Sequence, residues 1–167
     1  MPTPLLTTKL YVPPPRPNLV LRPRLVERLD DGLRLGHKLT LVAAPAGFGK
    51  TTLATEWLYS KGQAVSSCSI AWLSLDEGDN DPARFFTYLI AALRQLDAGV
   101  CQATQSLLGS PQMPSTESLA ATLANDIGAI LAPFVLVLDD YQLIHNALVH
   151  DALAFLLDHQ PPHMHLL

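Results

Sequence analysis

Apolar residues fall along this chain in two distinct rhythms. Leu39-Thr40-Leu41-Val42-Ala43, Ile70-Ala71-Trp72-Leu73-Ser74-Leu75 and Phe134-Val135-Leu136-Val137-Leu138 are short, nearly unbroken runs. Runs of that length with no polar face predict strands buried on both sides, the pattern of a parallel sheet. Between them the apolar positions recur every three or four residues, as on one face of a helix. Leu25, Leu29 and Leu33 mark a helix over Arg24–Leu35, and Leu53, Ala54, Trp57 and Leu58 mark one from Thr51 to about Ser60. Phe85, Phe86, Leu89, Ile90 and Leu93 form a third stripe, Leu119, Leu123, Ile127 and Ile130 a fourth, and residues from Ala147 to about Asp158 a fifth. Trp57, Trp72, Phe85 and Phe86 read as core. Two starts carry their own punctuation: Asp81 as N-cap with Pro82 as first helical residue, and Ser115 as N-cap of the fourth helix. Strands alternating with helices predict an α/β domain around a parallel sheet.

The ends of the chain break this rhythm. Residues 1–23 contain Pro13-Pro14-Pro15, Pro17 and Pro23, which predicts an extended arm laid on the surface, followed by one domain over residues 24–167. At the other end, Met164-His165-Leu166-Leu167 reads as the start of a further strand.

Composition narrows the partners. Charged residues make up only 16% of the 167 residues, and the net charge is −4. Seven of the eleven Lys and Arg lie within residues 1–38, and none follows Arg94, whereas residues 95–167 hold seven carboxylates. A nucleic-acid face needs clustered cations, so that half supplies none. Cys68 and Cys101 lack metal-ligand or disulfide patterning and read as reduced thiols. No secretory leader is visible at the N-terminus, and no apolar run approaches the roughly 18 residues of a membrane span. The expectation is a soluble, cytoplasmic protein.

The chemistry lies where the first strand meets its helix, in Ala44-Pro45-Ala46-Gly47-Phe48-Gly49-Lys50-Thr51. A tight glycine-containing loop between a strand and a helix turns backbone N–H groups inward, and the helix dipole adds roughly half a positive charge there. Gly47 and Gly49 admit phosphate oxygens where a Cβ would clash, Lys50 reaches the β- and γ-phosphates, and the Thr51 hydroxyl ligates Mg²⁺. This is the Walker A element, with Ala44 in place of its usual leading glycine. About 90 residues downstream, an apolar strand ends in Asp139-Asp140, the Walker B element. Asp139 is assigned to the Mg²⁺ shell and Asp140 to the general base that polarises the attacking water. The acidic turn Asp76-Glu77-Gly78-Asp79-Asn80 lacks calcium-loop spacing and reads first as a turn and cap, with Glu77 as an alternative base. His145, His150, His159, His163 and His165 have no Cys or paired carboxylate beside them and read as surface or core-edge residues.

Three further stretches are specific enough to name a family. Leu6-Thr7-Thr8-Lys9-Leu10, Pro14-Pro15-Arg16-Pro17 and Val20-Leu21-Arg22-Pro23-Arg24-Leu25 resemble the opening of MalT-type regulators, the large ATP-dependent members of the LuxR group. Ala43 through Thr52, Ala71 through Asp81, and Leu136-Val137-Leu138-Asp139-Asp140-Tyr141 match the same family in the same order. The resemblance implies a STAND NTPase domain of three-layer P-loop architecture, in which ADP holds the protein shut while inducer and ATP open it to self-associate. It implies that Val20 and Arg22 belong to the adenine pocket and that Thr52 belongs to the nucleotide loop. It also implies a sensing arginine and a DNA-binding domain beyond Leu167. On that reading the sheet is incomplete at the C-terminus: the strand beginning near His165 belongs between the P-loop strand and the Asp139 strand. The 167 residues alone are then expected to fold poorly, bind ATP weakly and be inactive. A small-molecule phosphotransferase and a non-hydrolysing nucleotide-binding module are the competing functions, the first disfavoured by the missing cations after Arg94.

Overall fold

The computed structural model describes residues 5–61, 68–112 and 114–167. Helix α1 (Pro23–Arg34) and helix α2 (Lys50–Lys61) precede strand β1 (Ser69–Ser74). Helices α3 (Pro82–Leu93), α4 (Gln102–Leu108) and α5 (Thr116–Gly128) lead to strand β2 (Phe134–Asp139), and helix α6 (Ala147–His159) leads to strand β3 (Met164–Leu166). The strands form a parallel sheet in the order β1-β2-β3.

Alternation along the strands sends side chains to opposite faces, and each face is covered by different helices. Ala71, Leu73, Phe134, Leu136 and Leu166 meet α3, α5 and α6. Trp72, Val135 and Val137 meet α1 and α2 through Leu29, Leu53, Trp57 and Leu58. The result is the three-layer α/β arrangement expected. Trp57, Trp72, Phe85 and Phe86 are each 1% exposed, as their positions in the pattern required. Both expected caps are present: Asp81 accepts from the Ala83 N–H with Pro82 at the first turn, and Ser115 accepts from the Ser118 N–H. No helix among the described residues is long and apolar enough to cross a membrane.

Two elements differ from expectation. The run Leu39–Ala43 is not a strand buried on both sides. It joins the sheet through a single parallel bridge, Leu39 to Leu166, with the Thr40 N–H donating to Leu166 O at 2.8 Å and the Leu166 N–H to Lys38 O at 3.0 Å. This puts β3 between β2 and the segment leading to the loop, the order expected. But β3 spans only three residues, so no strand among the described residues pairs with residues 41–44, and Leu41 is 77% exposed while Val42 packs on the α1 and α2 side. Apolar composition suits a residue to burial; burial itself needs a neighbouring strand. The second difference is α4, which the pattern does not announce. It starts at Cys101 in the left-handed region (φ 61°) without a side-chain cap, and packs on α5 with Thr104 bonded to Asp126 at 2.7 Å. Burial pushes the Cys101 thiol up to about 12, so it is protonated at neutral pH.

The arm, described from Leu5, is anchored by a buried ion cluster. A 3-10 turn, Thr7–Leu10, seats Leu10 in the core and leaves Lys9 only 6% exposed. The Lys9 ammonium donates to Asp76 at 2.9 Å and to the fully buried Asp79, and lies 4.3 Å from the centre of the Tyr88 ring. Arg84 Nε donates to the other Asp79 oxygen at 3.1 Å, and the Leu6 N–H donates to the Tyr88 hydroxyl at 3.1 Å.

Breaking a buried pair from one side strands the remaining charge, at a cost of about 3–5 kcal/mol. Arg84 still compensates Asp79, so Lys9→Ala is expected at the lower end, about 3 kcal/mol, or a Tm lower by about 6–12 °C. Thermal and urea denaturation of the two forms would measure it; a loss below about 1 kcal/mol would mean the pair is energetically idle.

Candidate nucleotide site

The loop from Ala44 to Gly49 turns through two left-handed glycines, Gly47 (φ +82°) and Gly49 (φ +78°). A Cβ at Gly49 would also lie 2.8 Å from the Arg22 Nη2, a contact the flexible end of that side chain can yield, so it is the positive φ that calls for glycine here. Helix α2 begins at Lys50, and its first-turn N–H groups, which have no intrahelical partner, open at the loop. Lys50 Nζ donates to Ala44 O at 3.0 Å and to Pro45 O at 3.4 Å, which holds the ammonium across the mouth of the loop. Phe48, at the tip, is exposed.

The glycine loop's helix and the end of β2 meet at one contact. The Thr51 hydroxyl lies 2.9 and 3.0 Å from the two Asp139 oxygens. Thr51 is in the first turn of α2 and Asp139 ends β2, so the sheet and the helix together bring them side by side. Burial pushes the Asp139 carboxyl above its usual range and the neighbouring Asp140 adds to this, while the Thr51 hydroxyl and Lys50 act in the opposite sense. A hydroxyl and an under-compensated carboxylate are hard oxygen donors, so this pair fits a small divalent cation such as Mg²⁺.

Asp140 follows in the left-handed region (φ 59°, ψ 31°), and one of its oxygens accepts from Gln142 Nε2 at 2.8 Å. A second 3-10 turn, Tyr141–Leu143, comes next, and the Tyr141 hydroxyl lies 2.6 Å from His150 Nδ1 on α6. Lys50, Asp139, Asp140, Tyr141 and His150 border one cleft of about 500 Å³, whose remaining lining, Thr40 and Gln142 apart, is apolar. Glu77 is exposed and borders neither this cleft nor the next.

The second cleft, about 640 Å³, lies between α1 and the loop and is bordered by Arg22, Leu25, Leu29, Leu41, Phe48 and Lys50. Arg22 reaches over the loop: its guanidinium donates to Phe48 O at 3.4 Å and Gly49 O at 3.3 Å. Its backbone N–H donates to Glu56 Oε1 at 2.7 Å. Val20 is 79% exposed and does not border the cleft. Among the described residues, no three His, Cys, Asp or Glu side chains cluster as a further metal site.

Sequence reasoning passed over Glu56, and it read His150 only as a surface or core-edge histidine and Asn80 only as part of a turn and cap. Glu56 had a signal, because it is a carboxylate between Thr55 and Trp57 on a helix whose neighbours are buried, and it is itself 8% exposed. His150 and Asn80 had none, since their partners lie 9 and more than 60 residues away.

No protein-family model matches the chain. Curated relatives do. The HTH-type transcriptional regulators MalT of Cronobacter sakazakii and Klebsiella pneumoniae are each 40% identical over 162 residues, 97% of this chain and 17% of their own length. The MalT of Serratia proteamaculans is 40% identical over 163 residues, 98% of this chain and again 17% of its own length. Over nearly its whole length, then, this chain is similar to MalT regulators, of whose own length it spans 17%.

Proposed function

We propose that these residues bind ATP and ADP with Mg²⁺ and act as the nucleotide switch of a transcriptional regulator that hydrolyses ATP slowly when intact. The observation that carries the reading is the Thr51–Asp139 contact beside Lys50, a hydroxyl, a carboxylate and an ammonium converging at a helix N-terminus. Thr51 and Asp139 would hold Mg²⁺, which when bound neutralises charge on the β- and γ-phosphate oxygens. The residues 44–49 and the first turn of α2, with Thr52, offer N–H donors to the phosphates. Lys50 exchanges its carbonyl contacts for phosphate oxygens. Asp140 takes the proton of the attacking water. Arg22, which borders the cleft beside the loop, holds the adenine end from the arm formed by residues 1–23, with the domain proper over 24–167; Val20, exposed and outside that cleft, takes no part in it. Nucleotide state then governs self-association. DNA contact belongs to another part of the protein, in keeping with the helix-turn-helix in the names of the relatives. The cytoplasm is where such a regulator works.

Two substitutions test this in the intact protein. Lys50→Ala is expected to weaken Mg-ATP binding by about 10- to 150-fold, the equivalent of the 1.5–3 kcal/mol of a charge-assisted contact. Equal dissociation constants for the two forms would sink the reading. Asp140→Asn is expected to leave binding nearly intact and slow hydrolysis by about 10²-fold or more. Normal turnover in Asp140→Asn with loss in Glu77→Gln would transfer the base to Glu77. Turnover in neither case, with binding intact, would favour a non-hydrolysing module.

Asp139 adds a test that needs no nucleotide. Its folded-state pKa is raised above the model-compound 3.8, so the ionised carboxylate destabilises the fold at neutral pH, and this penalty vanishes once pH falls below 3.8. Asp139→Asn should therefore unfold at a higher temperature than wild type at pH 7, with the gap closing on acidification, while Mg²⁺-dependent binding is lost. A gap that widens on acidification would contradict it.

A further inference from the structure

The acidic turn after β1 does more than cap α3. Its last residue, Asn80, uses every hydrogen-bonding atom of its side chain on backbone. Asn80 Nδ2 donates to Leu143 O at 2.9 Å and to Glu77 O at 3.0 Å. Asn80 Oδ1 accepts from the His145 N–H at 2.6 Å and the Asn146 N–H at 2.9 Å. The backbone O of Asn80 accepts from Asn146 Nδ2 at 2.8 Å. Three residues after Asp140, then, the chain is held by one amide from the 3-10 turn that follows β1.

The path from that amide to Asp140 is short and bonded throughout. Leu143, whose O meets Asn80, donates its own N–H to Asp140 O at 3.0 Å, and the Ile144 N–H donates to Tyr141 O at 3.0 Å. On the other side of Asp140, the Leu75 N–H donates to Asp139 O at 3.0 Å. Asp140 thus sits between two clamps supplied by the segment 75–80. Its left-handed backbone is one that L-residues seldom adopt and that persists only where the surroundings over-determine it. The clamp itself is stiff. Asp76 and Asp79 close a capping box, and the ion pairs with Lys9 and Arg84 bury Asp79 beneath it.

We propose that Asn80 is a positioning residue: its side-chain amide holds the turn after Asp140 and so aims the Asp140 carboxylate at the attacking water. This rests on the hydrolysis reading above, and one experiment separates the two. In the intact protein, kcat, Mg-ATP affinity and amide exchange are measured for wild type, Asn80→Ala, Asn80→Asp, Asp140→Asn and the Asn80→Ala/Asp140→Asn pair.

In Asn80→Ala the amides of His145 and Asn146 exchange at least about 10-fold faster while those of Leu136 and Val137 keep their rates, so that the fold is intact. Asn80→Asp, which keeps the acceptor oxygen, retains most of that protection. kcat falls about 10-fold or more with Mg-ATP affinity within about twofold, and in the Asp140→Asn background the same change lowers kcat by less than about twofold. Unchanged exchange at His145 and Asn146, an additive double variant, or affinity falling in step with kcat would each overturn the proposal. If wild type and Asp140→Asn turn over alike, it is the hydrolysis reading that fails. The exchange data then decide alone whether Asn80 positions the turn: protection lost only within 140–146 upholds it, and protection retained overturns it.

Discussion

Parallel pairing is the constraint on which the rest of this molecule depends. β1 and β2 run side by side from Ser69 opposite Phe134 to Ser74 opposite Asp139, so both strands leave the sheet at the same edge. Ligands of open parallel sheets bind outside that edge for the same reason. Here it places the acidic turn, Asp139 and Asp140 within one hydrogen-bonded cluster. Packing of α2 on the opposite face of the sheet brings Thr51 against the end of β2. A shift of one residue in that pairing would turn every side chain of β2 to the other face and separate Thr51 from Asp139.

Charge is arranged around this edge in two unlike ways. At Asp76 and Asp79, the carboxylates are met by Lys9 and Arg84 and the cluster closes on itself. At Asp139 and Asp140, Lys50 is the cation at hand, and its ammonium is engaged by loop carbonyls. Burial without a matching cation raises the Asp139 carboxyl above its usual range. The first cluster stabilises a surface for the arm. The second carries uncompensated negative charge beside an anion-receptive helix end, an arrangement that suits a bound cation and phosphate together.

The arm links the two. Lys9 anchors it at the acidic turn, and Arg22 ends it over Phe48 and Gly49, so one stretch of chain touches both the glycine loop and the turn next to the end of β2. Glu56 fixes the second contact by accepting the Arg22 N–H from within α2.

Most of the fold was legible in the residues. The periods of the apolar positions located five of the six α-helices among the described residues, β1 and β2, and Asp81-Pro82 and Ser115 marked two helix starts, because those signals are local and act within a turn of chain. The tight glycine turn was legible for the same reason: Gly47 and Gly49 take positive φ, which glycine adopts without strain. Helix α4 was not legible, since its start at Cys101 has no side-chain cap and it is held by packing on α5. The missing strand neighbour of Leu41 was legible, since Met164-His165-Leu166-Leu167 reads as only the start of the strand that belongs beside it. The partners of Lys9, Arg22 and Asn80 lie tens of residues away, so only the tertiary structure could decide them. Spacing along a chain carries local conformation, but hydrogen bonds and ion pairs form between whatever the sheet register and helix packing bring within about 3 Å.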